Sequence, residues 1–224
     1  MSGGPLDPSG LPSQIDEDQG SAVLNLMNLA VRPWIVAIIL GLLALSPATA
    51  HAGMTPEEVK AFEGFKARAE RGDAEAQLSL GLCFDNGSGV AKDQVQAVSW
   101  YRKSAEKGYA KAQDRLGTRY RYGLGVAEDQ VLAVSWYRKA ADQGDARAQD
   151  RLANHYRHGE GVAKDEIEAY AYLSLAGVTY ELARGRLAVL EKQMSGDQIA
   201  AGRKRAKELQ KEIDAKIAAK AAAK

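Results

Sequence analysis

The chain repeats itself every 36 residues, and this constrains its fold more than any other feature: Gly72, Gly108 and Gly144 fall in register. Ala76, Ala112 and Ala148 follow, then Leu80, Leu116 and Leu152. The register continues through an aromatic position (Phe84, Tyr120, Tyr156) and a Gly-x-Gly-Val loop opening at Gly87, Gly123 and Gly159. An aspartate (Asp93, Asp129, Asp165), an alanine (Ala97, Ala133, Ala169) and a second aromatic position (Trp100, Trp136, Tyr172) complete it. A fixed period over three copies predicts a solenoid, in which each unit buries its apolar face only by stacking on its neighbours.

Within each unit the spacing is helical. Ala76, Leu80 and Phe84 recur at i, i+4, i+8 and share one face of a helix. Ala97, Trp100, Tyr101, Ser104 and Ala105 form the matching stripe of a second helix. The alanines allow close helix approach, and the aromatic side chains, Trp100 and Trp136 among them, are expected to fill the space between repeats. Asp93 and its equivalents stand where an N-cap carboxylate satisfies orphan amides and the helix dipole. Gly87 and Gly89 end the first helix and permit positive φ. A phosphate-cradling reading of Gly-x-Gly needs a strand before the glycines; here a helix precedes them.

The flanks extend the stack. Thr55, Pro56 and Glu58 spell a capping box for a helix whose Ala61, Phe65, Ala69 and Gly72 continue the register. Beyond the third copy, Ala183, Leu187, Leu190 and Met194 predict an amphipathic helix. Ser195 and Gln198 make a second capping box, and Ile199, Gly202, Ala206, Leu209, Ile213 and Ile217 form the seam of a long final helix. Residues 203–224 hold eight basic and three acidic side chains. Residues 196–210 are expected to dock as a cap, and residues 215–224 to fray for want of packing. The fold class is all-α: an α/α superhelical solenoid of about three 36-residue helix-pair repeats, with an N-terminal half-repeat and C-terminal capping helices. The solenoid occupies residues 53–182 and the capping helices with their basic tail residues 183–224.

Residues 27–52 show a different pattern: Arg32, an apolar run from Trp34 to Leu45, then small residues. The run is shorter than the roughly 20 residues that cross a bilayer, and the order is that of a secretory signal peptide. Cleavage after Ala50 or Ala52 would leave a periplasmic or secreted protein. Residues 1–26 contain Asp7, Asp16, Glu17 and Asp18 and no basic residue; that composition predicts disorder, and translation is expected to start at Met27. Cys83 is the only cysteine, so no internal disulfide is expected.

The second copy reads Ala112-x3-Leu116-x3-Tyr120-x2-Gly123-x-Gly125-Val126-x2-Asp129-x3-Ala133-x2-Trp136-x3-Ala140-Ala141-x2-Gly144. This resembles the Sel-1-like repeat family, a relative of the tetratricopeptide repeats, over residues 57–182. The resemblance implies a superhelix of antiparallel helix pairs used as a scaffold that binds other proteins. The third copy departs from it, with Tyr172 in place of Trp and a drift after Ala176, as terminal repeats do.

Chemistry is sparse. His155 and His158 with Glu160 offer too few ligands for zinc, and no metal or cofactor is expected. Ser104 to Lys107 reads Ser-x-x-Lys, but the companion motifs of penicillin-recognising hydrolases are absent; no catalytic residue is assigned. The alternatives to a non-enzymatic scaffold are a cell-wall or β-lactam hydrolase of the cysteine-rich repeat type, whose paired cysteines this chain lacks, and a membrane-surface protein held by its basic tail. A net charge of +1 gives no support to a nucleic-acid partner. One polar stripe remains: Arg115, Arg119 and Tyr122, with Arg151, His155 and His158 in the equivalent places, about 100° around the first helix from its core face. It is the candidate site for a protein or peptide partner on the concave face.

Overall fold

The computed structural model describes residues 54–223. The described residues form nine helices and no strand: α1 (Pro56–Glu70), α2 (Ala74–Asn86), α3 (Gln94–Glu106), α4 (Ala110–Tyr122), α5 (Gln130–Ala141), α6 (Ala146–His158), α7 (Glu166–Ala176), α8 (Glu181–Glu191) and α9 (Gly196–Ala222). The pairs α2–α3, α4–α5 and α6–α7 are the three repeats, each second helix also packing on the first helix of the next. The signal segment and everything before it lie outside the described residues.

The start and stop signals act as their chemistry requires. Asp93 Oδ1 accepts from the amides of Val95 and Gln96, each at 2.9 Å, Asp129 Oδ1 from Leu132 at 2.8 Å, and Asp165 Oδ1 from Ile167 and Glu168 at 2.9 and 3.0 Å. Both capping boxes, at Thr55 and Ser195, are closed reciprocally. In the α4–α5 loop Gly123 and Gly125 have φ of 62° and 75°, a region costly for residues with a Cβ. Gly125 also lies against the carbonyl of Gln94 in the preceding repeat. Each first helix carries a buried glutamine that donates to a last-turn carbonyl of the helix before it: Gln77 to Ala69 at 3.1 Å, Gln113 to Ala105 at 3.1 Å and Gln149 to Ala141 at 3.4 Å. Each of those carbonyls also accepts from the amide of the glycine that closes its helix, Gly72, Gly108 or Gly144, and the glutamine is a second donor that ties repeat to repeat.

The core is the alanine–leucine ladder, with Ala76, Ala112, Ala148, Leu116 and Leu152 fully buried. Among the second-helix aromatics, the fully buried ones are Tyr101 and Tyr137; Trp100 and Trp136 are half-buried, contrary to the expectation that they fill the core. The tryptophans lie at the rim, with Lys103 Nζ 3.7 Å from the Trp100 ring centre and Lys139 Nζ 3.9 Å from that of Trp136. The one-residue shift has a cause across the helix pair. Gly81 and Gly117 of the first helices leave a slot that the Tyr101 and Tyr137 rings enter. In α1 the buried aromatic is Phe62, edge-on to Phe84 at 5.6 Å, while Phe65 is half-buried and Ala61 exposed.

At the other end α9 packs along α7, with Gly202 against the Tyr170 ring and Ala206, Leu209 and Ile213 buried. The helix runs to Ala222, and its described residues from Asp214 onward are exposed. Lys216 pairs with Asp142 at 2.9 Å, and Lys220 Nζ donates to the Gly108 carbonyl at 3.2 Å and to Gln143. Arg205 binds Glu168 at 2.6 Å and Glu212 at 2.9 Å, so part of the basic tail neutralises carboxylates of the fold. No described helix is long and apolar enough to cross a membrane.

Candidate protein-binding groove

The first helices of all three repeats contribute to one open groove of about 560 Å³. Leu78, Ser79 and Leu82 line it from α2, Lys111 and Arg115 from α4, and Arg147 from α6. Tyr109 and Tyr180 flank it, and Glu75, Asp114 and Asp145 add carboxylates to its lining. Beside it lies a strongly polar cavity of about 320 Å³ that shares Arg147 and Tyr180 and is lined further by Arg121, Tyr122, Asp150, Arg151, Asn154 and Arg186.

Local sequence explains the tyrosines. The N-cap position of the first helices is Asp73 in repeat one and Asp145 in repeat three, and both carboxylates accept backbone amides. In repeat two it is Tyr109, and ahead of α8 it is Tyr180; neither makes a side-chain cap. A cap residue is worth about 1 kcal/mol, so these two helix starts forgo that stabilisation and turn an aromatic ring to the groove instead.

Between repeats runs a series of ion pairs. Arg119 pairs with Asp85, Arg151 with Asp114, and Arg186 with Asp150. Asp114 and Asp150 are register equivalents, each reached by an arginine of the next first helix. The equivalent position in repeat one is Leu78, so Arg115, the counterpart of Arg151, meets a leucine where a carboxylate would stand. The ion pairs of the described residues engage Arg121, Arg151 and Arg186 but none of Lys111, Arg115 or Arg147. Burial drives the Asp114 carboxyl above its ordinary range, against the pull of Arg151. Asp150 is 4% exposed; its Oδ2 accepts from Arg186, and its Oδ1 has no hydrogen-bond partner.

The structure divides the candidate stripe. Arg115 is half-buried in the groove, and Arg151 and Tyr122 line the polar cavity, Tyr122 being 58% exposed. Arg119 and His155 do not face solvent: they are 6% and 0% exposed. A position 100° from the core face of an isolated helix would be open, but here the preceding repeat covers it. Arg119 lies against Asp85 and the Tyr101 ring. His155 packs 5.5 Å from the Tyr137 ring centre, its Nδ1 2.8 Å from the Glu160 carbonyl, and burial lowers its pKa. Their equivalent in repeat one, Cys83, is buried too, which raises its thiol pKa. His158 is exposed and lines neither cavity. No cluster of metal-ligating side chains occurs among the described residues.

Lys111, Arg147, Arg186, Tyr109 and Tyr180 were not singled out by periodicity. The signal for Tyr109 was present, since it interrupts the aspartate of Asp73 and Asp145. The arginines gave none, because a cation on a helix surface looks alike whether or not a carboxylate faces it.

The Sel1 repeat model matches residues 74–109, 110–145 and 146–177. Residues 74–177 are Sel1 repeats. A Sel1 repeat protein from Oxalobacter formigenes is 34% identical, with a TM-score of 0.57, over 70% of this chain and 65% of that one. A protective antigen of uropathogenic Escherichia coli, c5321, which displays an SLR fold, is 28% identical with a TM-score of 0.47, over 73% of this chain and 43% of that one. The chain thus spans under two thirds of the length of either relative. No curated protein matches. Sel1 repeat proteins generally mediate protein–protein interaction, on a fold that is typically a non-catalytic scaffold.

Proposed function

We propose that this chain is a non-enzymatic adaptor, exported after cleavage near Ala50 or Ala52, whose first-helix groove is the concave face that holds a protein or peptide partner. The observation that carries the reading is the pairing of unneutralised cations with uncapped tyrosines. Lys111, Arg115 and Arg147 enter no ion pair among the described residues, and Tyr109 and Tyr180 line the groove in place of capping. A solenoid distributes its stability over nearest-neighbour interfaces, so surface residues of the first helices are free to vary with the partner.

The test is comparative capture from the native envelope. Wild-type protein should retain a partner that Tyr109→Ala and Arg115→Glu each lose, while Val95→Asp, at a 66% exposed site on α3, retains it. Loss from all three, or from none, would remove the groove from the reading. Turnover of a chromogenic β-lactam by the purified chain would overturn the non-enzymatic assignment. N-terminal sequencing of exported material should find His51 or Gly53 first; an intact Met1 or Met27 would refute cleavage.

A further inference from the structure

The groove and the polar cavity together present six cationic side chains against four carboxylates. Three of the cations, Lys111, Arg115 and Arg147, have no carboxylate partner among the described residues. An unneutralised arginine beside partly buried aromatic rings is best satisfied by a carboxylate, which it binds through two parallel charge-assisted hydrogen bonds. Asp150 adds a requirement of the opposite kind. It is buried in the wall of the same cavity, and its Oδ1 is a bare acceptor. A buried acceptor left unmade is costly, and it calls for a donor.

We propose that the occupant of this groove is an acidic peptide segment of the partner, bound in extended form. The inference rests on the adaptor reading and names the chemistry of its ligand. Carboxylates of the segment pair with Arg147 and Arg115, and a main-chain N–H of the segment donates to Asp150 Oδ1. Arg147, Asp150, Arg151 and Asn154 follow one another at i, i+3, i+4, i+7 on α6, so they share one face over about 10 Å of helix. That length matches roughly three residues of extended chain, which sets one acidic side chain, one amide and one carbonyl against Arg147, Asp150 and Asn154. A nucleic-acid strand fits the same cations less well, because its phosphodiester backbone offers no donor to Asp150.

The experiment pans phage-displayed random peptides on the purified full chain and measures the selected peptides, fluorescein-labelled, by anisotropy. They should be enriched in Asp and Glu and weaken with added NaCl, which screens exposed charge pairs. Arg147→Ala, at an exposed site where the fold is not at stake, should weaken them by about tenfold, the loss expected for one charge-assisted contact. N-methylation along the peptide should find one amide whose loss costs a similar factor. Neutral or basic peptides that still depend on Tyr109 and Arg115 would overturn the acidic class and leave the groove reading standing. Peptides indifferent to every groove substitution would overturn both. Displacement of the peptides by poly(U), lost in Arg147→Ala, would replace the peptide with a nucleic acid.

Discussion

Gly117→Ala should destabilise the protein although it improves helix propensity. In an open helix interior the change from glycine to alanine gains about 0.8–1.0 kcal/mol. At Gly117 the new Cβ would stand 2.7 and 2.8 Å from two ring carbons of Tyr137 and 3.2 Å from the Ala133 carbonyl oxygen. Carbon atoms pack at about 3.5–4.0 Å, so the ring must withdraw by roughly 0.8 Å. Tyr137 is 0% exposed and its hydroxyl is held 3.3 Å from Thr118, so it has no free space to enter. Overpacking of this kind costs about 1–3 kcal/mol; net of propensity, a loss of up to about 2 kcal/mol is expected. For a domain of this size that lowers Tm by up to about 8 °C, read by far-ultraviolet circular dichroism. Gly64→Ala, whose Cβ would meet nothing within 4 Å, is the control and should raise Tm. The third repeat already holds the compensated pair, with buried Ala153 and Leu173 at the register equivalents of Gly117 and Tyr137. The double variant Gly117→Ala, Tyr137→Leu should therefore recover part of what the single substitutions lose, a coupling measurable by a double-mutant cycle. A Tm for Gly117→Ala at or above wild type would refute the slot between the helices.

Other outcomes follow from the same contacts. Asp85→Ala strands Arg119, whose side chain is only 8% exposed, and should cost about 3–5 kcal/mol in chemical denaturation; Asp85→Leu with Arg119→Met should restore most of it. Burial holds the His155 pKa below its ordinary 6.5, so between the two values the unfolded chain binds a proton that the folded chain does not. Stability is then lost as pH falls below about 6.5, and His155→Gln should flatten the Tm profile below about pH 7; the raised carboxyl of Asp114 acts with the opposite sign. Ending the chain after Lys211 removes Ile213, which is 2% exposed, and should cost about 1.5–3 kcal/mol. Ending it after Lys216 removes, among the described residues, only exposed ones and should leave Tm nearly unchanged.

The tail shows how far the sequence reaches. The heptad-like spacing from Gly202 to Ile213 identified the seam that α9 buries, but the same pattern did not say where the helix stops packing. That depends on Asp142, Gly108 and Gln143, which the chain brings to Lys216 and Lys220 only once the repeats are stacked. The groove is a similar case: the register showed which first-helix positions vary, and Arg115 and Arg151 were legible as a pair. That Arg151 is neutralised and Arg115 is not depends on Asp114 and Leu78, each 37 residues away.

The sequence by itself determined the repeat length, the helix pairs, their caps and the loop glycines. All of these are governed by interactions within a few residues of the chain: a carboxylate bonding an amide two or three residues on, or a glycine taking positive φ. Only the tertiary structure decided that Tyr137 rather than Trp136 is the buried ring, and that Arg119 and His155 face the preceding repeat instead of solvent. Periodicity fixes the direction in which a side chain leaves its helix. What covers it there is set by the next helix, and in this stack the neighbour leans over the flank that a single helix would leave open.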